Sequence, residues 1–124
     1  MLAMLMTAAL VASLQTSATP ETLAGDWIVD LTPSASAAPY LKGMSLALAA
    51  DGAVTGSFYD SDIQAGRWKT SKGRTCVSFR TTDGKGAYHT AACLEGGRLT
   101  GQTWAEHRNF VFVWDARRAA PAKP

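Results

Sequence analysis

The sequence predicts an all-β protein: an eight-stranded, up-and-down antiparallel β-barrel behind an N-terminal signal peptide. Three observations point there. Short apolar or alternating runs are separated by Gly, Asp, Asn and Pro at intervals of about eight to twelve positions, the pattern of a sandwich or barrel. The links between runs are short except for one, "PSASAAP" at 33–39, so each strand pairs most cheaply with the next. The 124 residues are 47 % hydrophobic and 18 % charged, which suits one domain with one core. Closing the strands into a barrel removes the exposed edges that an open sheet would leave.

Residues 1–18, "MLAMLMTAALVASLQTSA", carry no charged side chain. A run this short suits the apolar region of a signal peptide, cleaved after Ala18, rather than a membrane span. The barrel domain is then expected over 19–118, with a disordered tail at 119–124, and the location is the periplasm or the medium. No cysteine lies near the cleavage point and no later run is long enough to span a bilayer, so no membrane anchor is expected. The strands are read as 25–32, 41–49, 53–60, 63–70, 74–81, 87–94, 98–106 and 109–118.

Turn chemistry sets two registers. A three-residue loop at Ala50-Asp51-Gly52, with Gly52 left-handed, pairs Ala49 with Ala53. Met44, Leu46 and Leu48 then share a face with Val54, Gly56 and Phe58, whereas a two-residue loop would set those aliphatics beside Thr55, Ser57 and Tyr59. In the next hairpin, a turn centred on Gly84-Lys85 sets Cys76 directly opposite Cys93, as a non-hydrogen-bonded pair about 4.5 Å apart. Val77, Phe79, Tyr88, Thr90, Ala92 and Leu94 point inward. Both cysteines, with Ser78, Arg80 and His89, point outward.

The two cysteines are therefore expected to form a disulfide. A zinc site needs closely spaced Cys/His pairs and a redox site usually Cys-x-x-Cys; neither spacing is present. An exported chain meets an oxidising compartment, where a disulfide persists.

In an up-and-down barrel the links alternate between two ends. Asp51-Gly52, Ser71-Lys72-Gly73 and Glu95-Gly96-Gly97 are tight turns at the end that holds the chain termini. The other end gathers "PSASAAPY", "DSD" (60–62), "DGKG" (83–86) and "EHRN" (106–109), so it is the expected mouth.

"LAGDWIVDL" at 23–31 resembles the Gly-x-Trp start of the first strand in calycins, the group of lipocalins, avidins and small bacterial metalloprotease inhibitors. The resemblance implies a barrel whose Trp27 lies across the closed end beneath an arginine of the last strand, Arg117 or Arg118. "TGSFY" and "TGQTW" resemble avidin strand starts. Where avidin places polar biotin contacts and a tyrosine, this chain has Val29, Pro33 and Phe58, so the resemblance does not extend to biotin. The inhibitors of this shape imply a second possibility, an N-terminal segment such as "TPETLAGDW" that enters a protease cleft.

The net charge is +2, and the basic residues are scattered rather than clustered; "RWKTSKGR" at 67–74 reads as a solvated hairpin, and no nucleic-acid partner is expected. Glu106, His107 and Arg108 in one mouth loop and Asp60 and Asp62 in another contain acid/base residue types, but as exposed turn residues they need no catalytic role. No Gly-x-Ser-x-Gly, phosphate loop or metal-protease helix occurs, so no catalytic residue, metal or cofactor is assigned. Tyr40, Trp68, Tyr88 and Trp104 combine an apolar ring with a polar tip and suit a half-wet cavity, or simply a core. Phe58, Asp60 and Tyr88 project inward near the mouth, with Arg108 able to pair with Asp60. The expected function is an exported barrel that binds a small, partly apolar molecule at its open end; the alternative is an exported protein-binding module such as a protease inhibitor.

Overall fold

The computed structural model describes residues 22–119; the expected signal peptide, and the expected tail beyond Ala119, lie outside the described residues. The strands are β1 (Gly25–Asp30), β2 (Leu41–Leu48), β3 (Ala53–Phe58), β4 (Ser61–Asp62), β5 (Gln64–Ser71), β6 (Arg74–Thr82), β7 (Ala87–Glu95), β8 (Arg98–Ala105) and β9 (Phe110–Arg118). One 3-10 turn, Glu106–Arg108, separates β8 from β9. Hydrogen-bonded neighbours run β2-β1-β9-β8-β7-β6-β5-β3, and β2 pairs again with β3. Eight antiparallel strands thus close into a barrel, with two-residue β4 appended to β3.

The fourth strand differs from expectation. A single run over 63–70 was expected; the chain instead forms β4, breaks at Ile63 and resumes as β5, with a register irregularity between Gln64 and Arg67. Tyr59, Asp60 and Ala65 adopt left-handed conformations (φ 56°, 64° and 53°), which interrupt the alternation of side chains. At the bulge β5 meets β3 through Gly66, where a β-carbon would sit 2.4 Å from the Val54 carbonyl oxygen. Glycine is required there by close backbone approach.

The two registers read from turn chemistry are present. Met44 pairs with Phe58, Leu46 with Gly56 and Leu48 with Val54. Ala49 N–H donates to Ala53 O at 2.9 Å, and Gly52 has φ +98°. Cys76 lies opposite Cys93, with Val77 opposite Ala92 and Phe79 opposite Thr90. The cysteines are disulfide-bonded across a Cα–Cα distance of 4.0 Å, the close approach of a non-hydrogen-bonded pair. They face outward, where Arg74 Nη2 lies 3.3 Å from Cys93 Sγ.

The half of the barrel around the termini is filled by its own side chains: Leu23, Val29, Met44, Leu46, Val54 and Leu99 are buried around Trp27. Trp27 is 1 % exposed, its Nε1–H donates to Leu23 O at 2.9 Å, and the Arg118 guanidinium carbon lies 4.3 Å from its ring centroid. Of the two arginines considered, Arg118 therefore covers the tryptophan and Arg117 does not. The reason is strand alternation: Arg118 pairs with Trp27 on the inward face, while Arg117 pairs with Ile28 and is exposed. Arg118 also donates to Ala24 O at 2.8 Å and to Thr22 O, which ties the entering segment across this end.

Candidate functional site

At the other end the filling stops. A cavity of ≈ 440 Å³ opens between the ends of β1, β3 and β6 and the starts of β2, β7 and β9. Its volume is within the range of small-molecule sites. The walls are Leu31, Tyr40, Phe58, Tyr59, Phe110 and Phe112, and the polar lining is Ser61, Thr81, Thr82, Asp83, Tyr88, Thr103 and Arg108.

The floor follows from side-chain sizes on adjacent strands. β9 alternates, so that Phe110, Phe112, Trp114 and Ala116 point in while Val111, Val113, Asp115 and Arg117 point out. β8 answers with inward Leu99 at the packed end and then small inward residues toward the mouth: Gly101, Thr103 and Ala105. A β-carbon at Gly101 would sit 2.6 Å from Ala92 Cβ, 2.7 Å from Ala91 O and 2.9 Å from the far edge of the Trp114 ring, so glycine admits both the close approach of β7 and that indole. Trp114 Nε1–H donates to Thr103 Oγ1 at 3.0 Å, and Thr103 and Thr90 share a hydroxyl hydrogen bond of 2.9 Å. Phe58 closes the floor, 5.9 Å from Trp114 and 6.0 Å from Phe79 between ring centroids.

One carboxylate organises the rim. Asp83 Oδ1 accepts the backbone N–H groups of Lys85 (2.8 Å) and Gly86 (3.1 Å), an Asx turn that shapes the β6–β7 link. Its Oδ2 accepts the Tyr88 hydroxyl at 2.8 Å and lies 3.2 Å from His107 Nε2 and 3.5 Å from Arg108 Nη1. Arg108 Nη1 also donates to the Tyr88 hydroxyl oxygen at 3.2 Å. These contacts fasten the Glu106–Arg108 turn to the β6–β7 turn, and the His107 ring fits over Gly86, where a β-carbon would lie 2.5 Å from it.

The Lys85 N–H, then His107, Tyr88 and the Gly86 N–H, hold the Asp83 carboxyl well below the usual carboxylate range. Burial, with Asp83 adding to it, pushes the Tyr88 phenol up, so this hydroxyl stays protonated as a donor. Because the folded value is depressed, the contribution of Asp83 to stability is present above its ordinary value of about 4 and is lost as pH falls through the folded value. The Asp83 carboxyl carbon resonance, followed by NMR from pH 7 to 3, is expected to show no midpoint. A midpoint near 4 would mean the rim contacts are not held in solution.

Of the residues expected to touch a ligand, Tyr40, Phe58, Tyr88 and Arg108 line this cavity. The other three lie elsewhere. Trp68 faces inward but at the closed end, where its Nε1–H donates to Ala49 O at 2.9 Å. Trp104 faces outward and stacks on His89 with 5.3 Å between ring centroids, because small residues occupy the inward positions of β8. Asp60 was expected to project inward by alternation from Phe58, but the left-handed turn at Tyr59 and Asp60 leaves it exposed and puts Tyr59 in the wall. Arg108 accordingly pairs with Asp83, not Asp60.

Sequence reasoning missed Asp83, Thr81, Thr103, Phe110, Phe112 and Lys42. Lys42 was legible: it shares the inward alternation of Met44 and Leu46, and lies half-buried at the start of β2. Its Nζ sits 4.6 Å from the Tyr59 ring centroid and 5.7 Å from that of Tyr40. Comparison with family models, with curated proteins and with solved structures finds no match for this chain.

Proposed function

We propose that the chain is an exported, calycin-like barrel that binds a small, partly apolar molecule at its open end. The observation that carries this reading is the division of the interior: packed solid around Trp27, yet open above Phe58 and Trp114 into an aromatic-walled cavity of ≈ 440 Å³. The lining is mostly apolar with a few directed polar groups, the composition by which such sites combine affinity with orientation. The disulfide supports an oxidising compartment, and the Arg118–Trp27 stack supports the calycin resemblance.

The second reading, a protein-binding module, draws support from the outer face of β9, where Val111 and Val113 are 56 % and 79 % exposed. Its protease-inhibitor form fits less well, since Leu23 is fully buried and Arg118 holds Thr22 and Ala24. Native mass spectrometry of the protein purified from its own source separates the two. A retained small molecule that is lost in Tyr88→Ala is the expected result; a stoichiometric protein partner on a chain with no small molecule would favour the second reading.

A further inference from the structure

Within the cavity reading, on which this inference rests, we propose that the ligand is an amphipathic organic anion: an apolar, ring-sized body carrying a single carboxylate or similar group that is held at the rim by Lys42 and Arg108. The first support is charge. Asp83, His107 and Arg108 meet with the Tyr88 hydroxyl at the cavity rim, and the Lys42 ammonium lies over the Tyr40 and Tyr59 rings that line the cavity. The carboxylate of Asp83 is already surrounded by five donors, two backbone and three from side chains, so it has little capacity left for a cationic guest. The cations are not saturated in the same way. Arg108 engages Asp83 and Tyr88 through Nη1, and its other terminal nitrogen makes no hydrogen bond among the described residues. Lys42 makes no ion pair among the described residues although it lies on the inward face of β2.

The second support is the use already made of the aromatic faces. A wall of tyrosine and phenylalanine rings can in general hold a quaternary ammonium. Here the Lys42 ammonium already lies over the Tyr59 and Tyr40 rings, so a cationic ligand would meet a like charge on entering. An anion instead finds an ammonium and the free edge of a guanidinium, the two donor types that recognise carboxylates through charge-assisted hydrogen bonds. Below the rim, Phe58, Phe110 and Phe112 offer apolar surface, the hydroxyls of Thr103 and Thr90 are satisfied by each other and by Trp114, and Thr81 adds one inward hydroxyl to the wall. The site therefore takes its polar group at the rim and its apolar body on the floor.

The test compares three probes of one shape, naphthalene-2-acetate, 2-naphthylmethanol and 2-naphthylmethylammonium, by calorimetric titration of the full folded chain at neutral pH. The anion is expected to bind at least about tenfold more tightly than either of the others. Lys42→Gln and Arg108→Gln should each remove much of that preference by weakening the anion far more than the alcohol, and Arg80→Gln on the outer face should alter neither. Thermal unfolding of each variant checks that the barrel is intact. Equal affinity for all three probes, or tightest binding of the ammonium, would overturn the anion assignment and leave the cavity reading standing. Binding of none of them would overturn both.

Discussion

Replacing Trp27 with alanine is expected to destabilise the protein by about 3 to 5 kcal/mol, the cost of truncating a large, fully buried aromatic. Trp27 is 1 % exposed at the centre of the packed end, so its loss leaves a void bounded by strands that are already closed in a ring and can collapse little. Two further contacts go with it. The carbonyl of buried Leu23 loses its donor, and Arg118 loses the ring beneath its guanidinium. Trp27→Phe separates the contributions, since it keeps a ring under Arg118 and removes only the N–H and part of the volume; it should cost clearly less than alanine. Urea unfolding at constant pH measures both. An alanine variant with an unchanged midpoint would mean that the closed end is not packed as described, and would remove the main structural support for the calycin-like reading.

The hairpin registers were legible in the sequence because each rests on a local rule, whereas the stack at the closed end was implied by the Gly-x-Trp resemblance, which left Arg117 and Arg118 both open. Ala50-Asp51-Gly52 admits few turn geometries, and a turn at Gly84-Lys85 fixes the opposition of Cys76 and Cys93 by counting alone. The mouth was less legible, for three physical reasons. On β9, "FVFVW" is apolar on both faces, and only Asp115 and Arg117 beyond it mark the outward side, so the mouth end of the strand does not itself say that Phe110 and Phe112 line the cavity while Val111 and Val113 face out. After β3, two successive left-handed residues end the alternation at Phe58; Asp60 is of the asparagine and aspartate class that tolerates that conformation, but Tyr59 is not, so nothing at Tyr59 announces the turn. On β8, Trp104 is outward because the inward positions must be small to admit Trp114, a constraint between strands that no single run contains. The rim carboxylate was passed over for the opposite reason. "DGKG" reads as a turn, which it is, and the turn uses only Oδ1 of Asp83, leaving Oδ2 to collect Tyr88, His107 and Arg108 from elsewhere in the fold.

Removing the disulfide, as the double variant Cys76→Ser and Cys93→Ser, is expected to cost about 3 kcal/mol, the loop-closure value for a bridge of this span. The bridge spans 17 positions and closes the β6–β7 hairpin at its foot, with the Asp83 turn at its tip. Its stabilisation resides mainly in the unfolded chain, which is restricted by the cross-link, and not in the packing of the barrel. Folded-state register has other sources: Val77, Phe79 and Thr81 face inward and are buried, so a slip of one residue would turn them out to solvent. The double variant should therefore unfold at a lower urea concentration with a somewhat steeper slope, since the unlinked unfolded chain exposes more surface, while its folded form keeps Asp83, Tyr88 and Arg108 in place and retains the wild-type affinity for naphthalene-2-acetate. Loss of binding at a concentration of denaturant where circular dichroism still reports a folded barrel would show that the bridge, and not the buried alternation of β6, holds the rim in register.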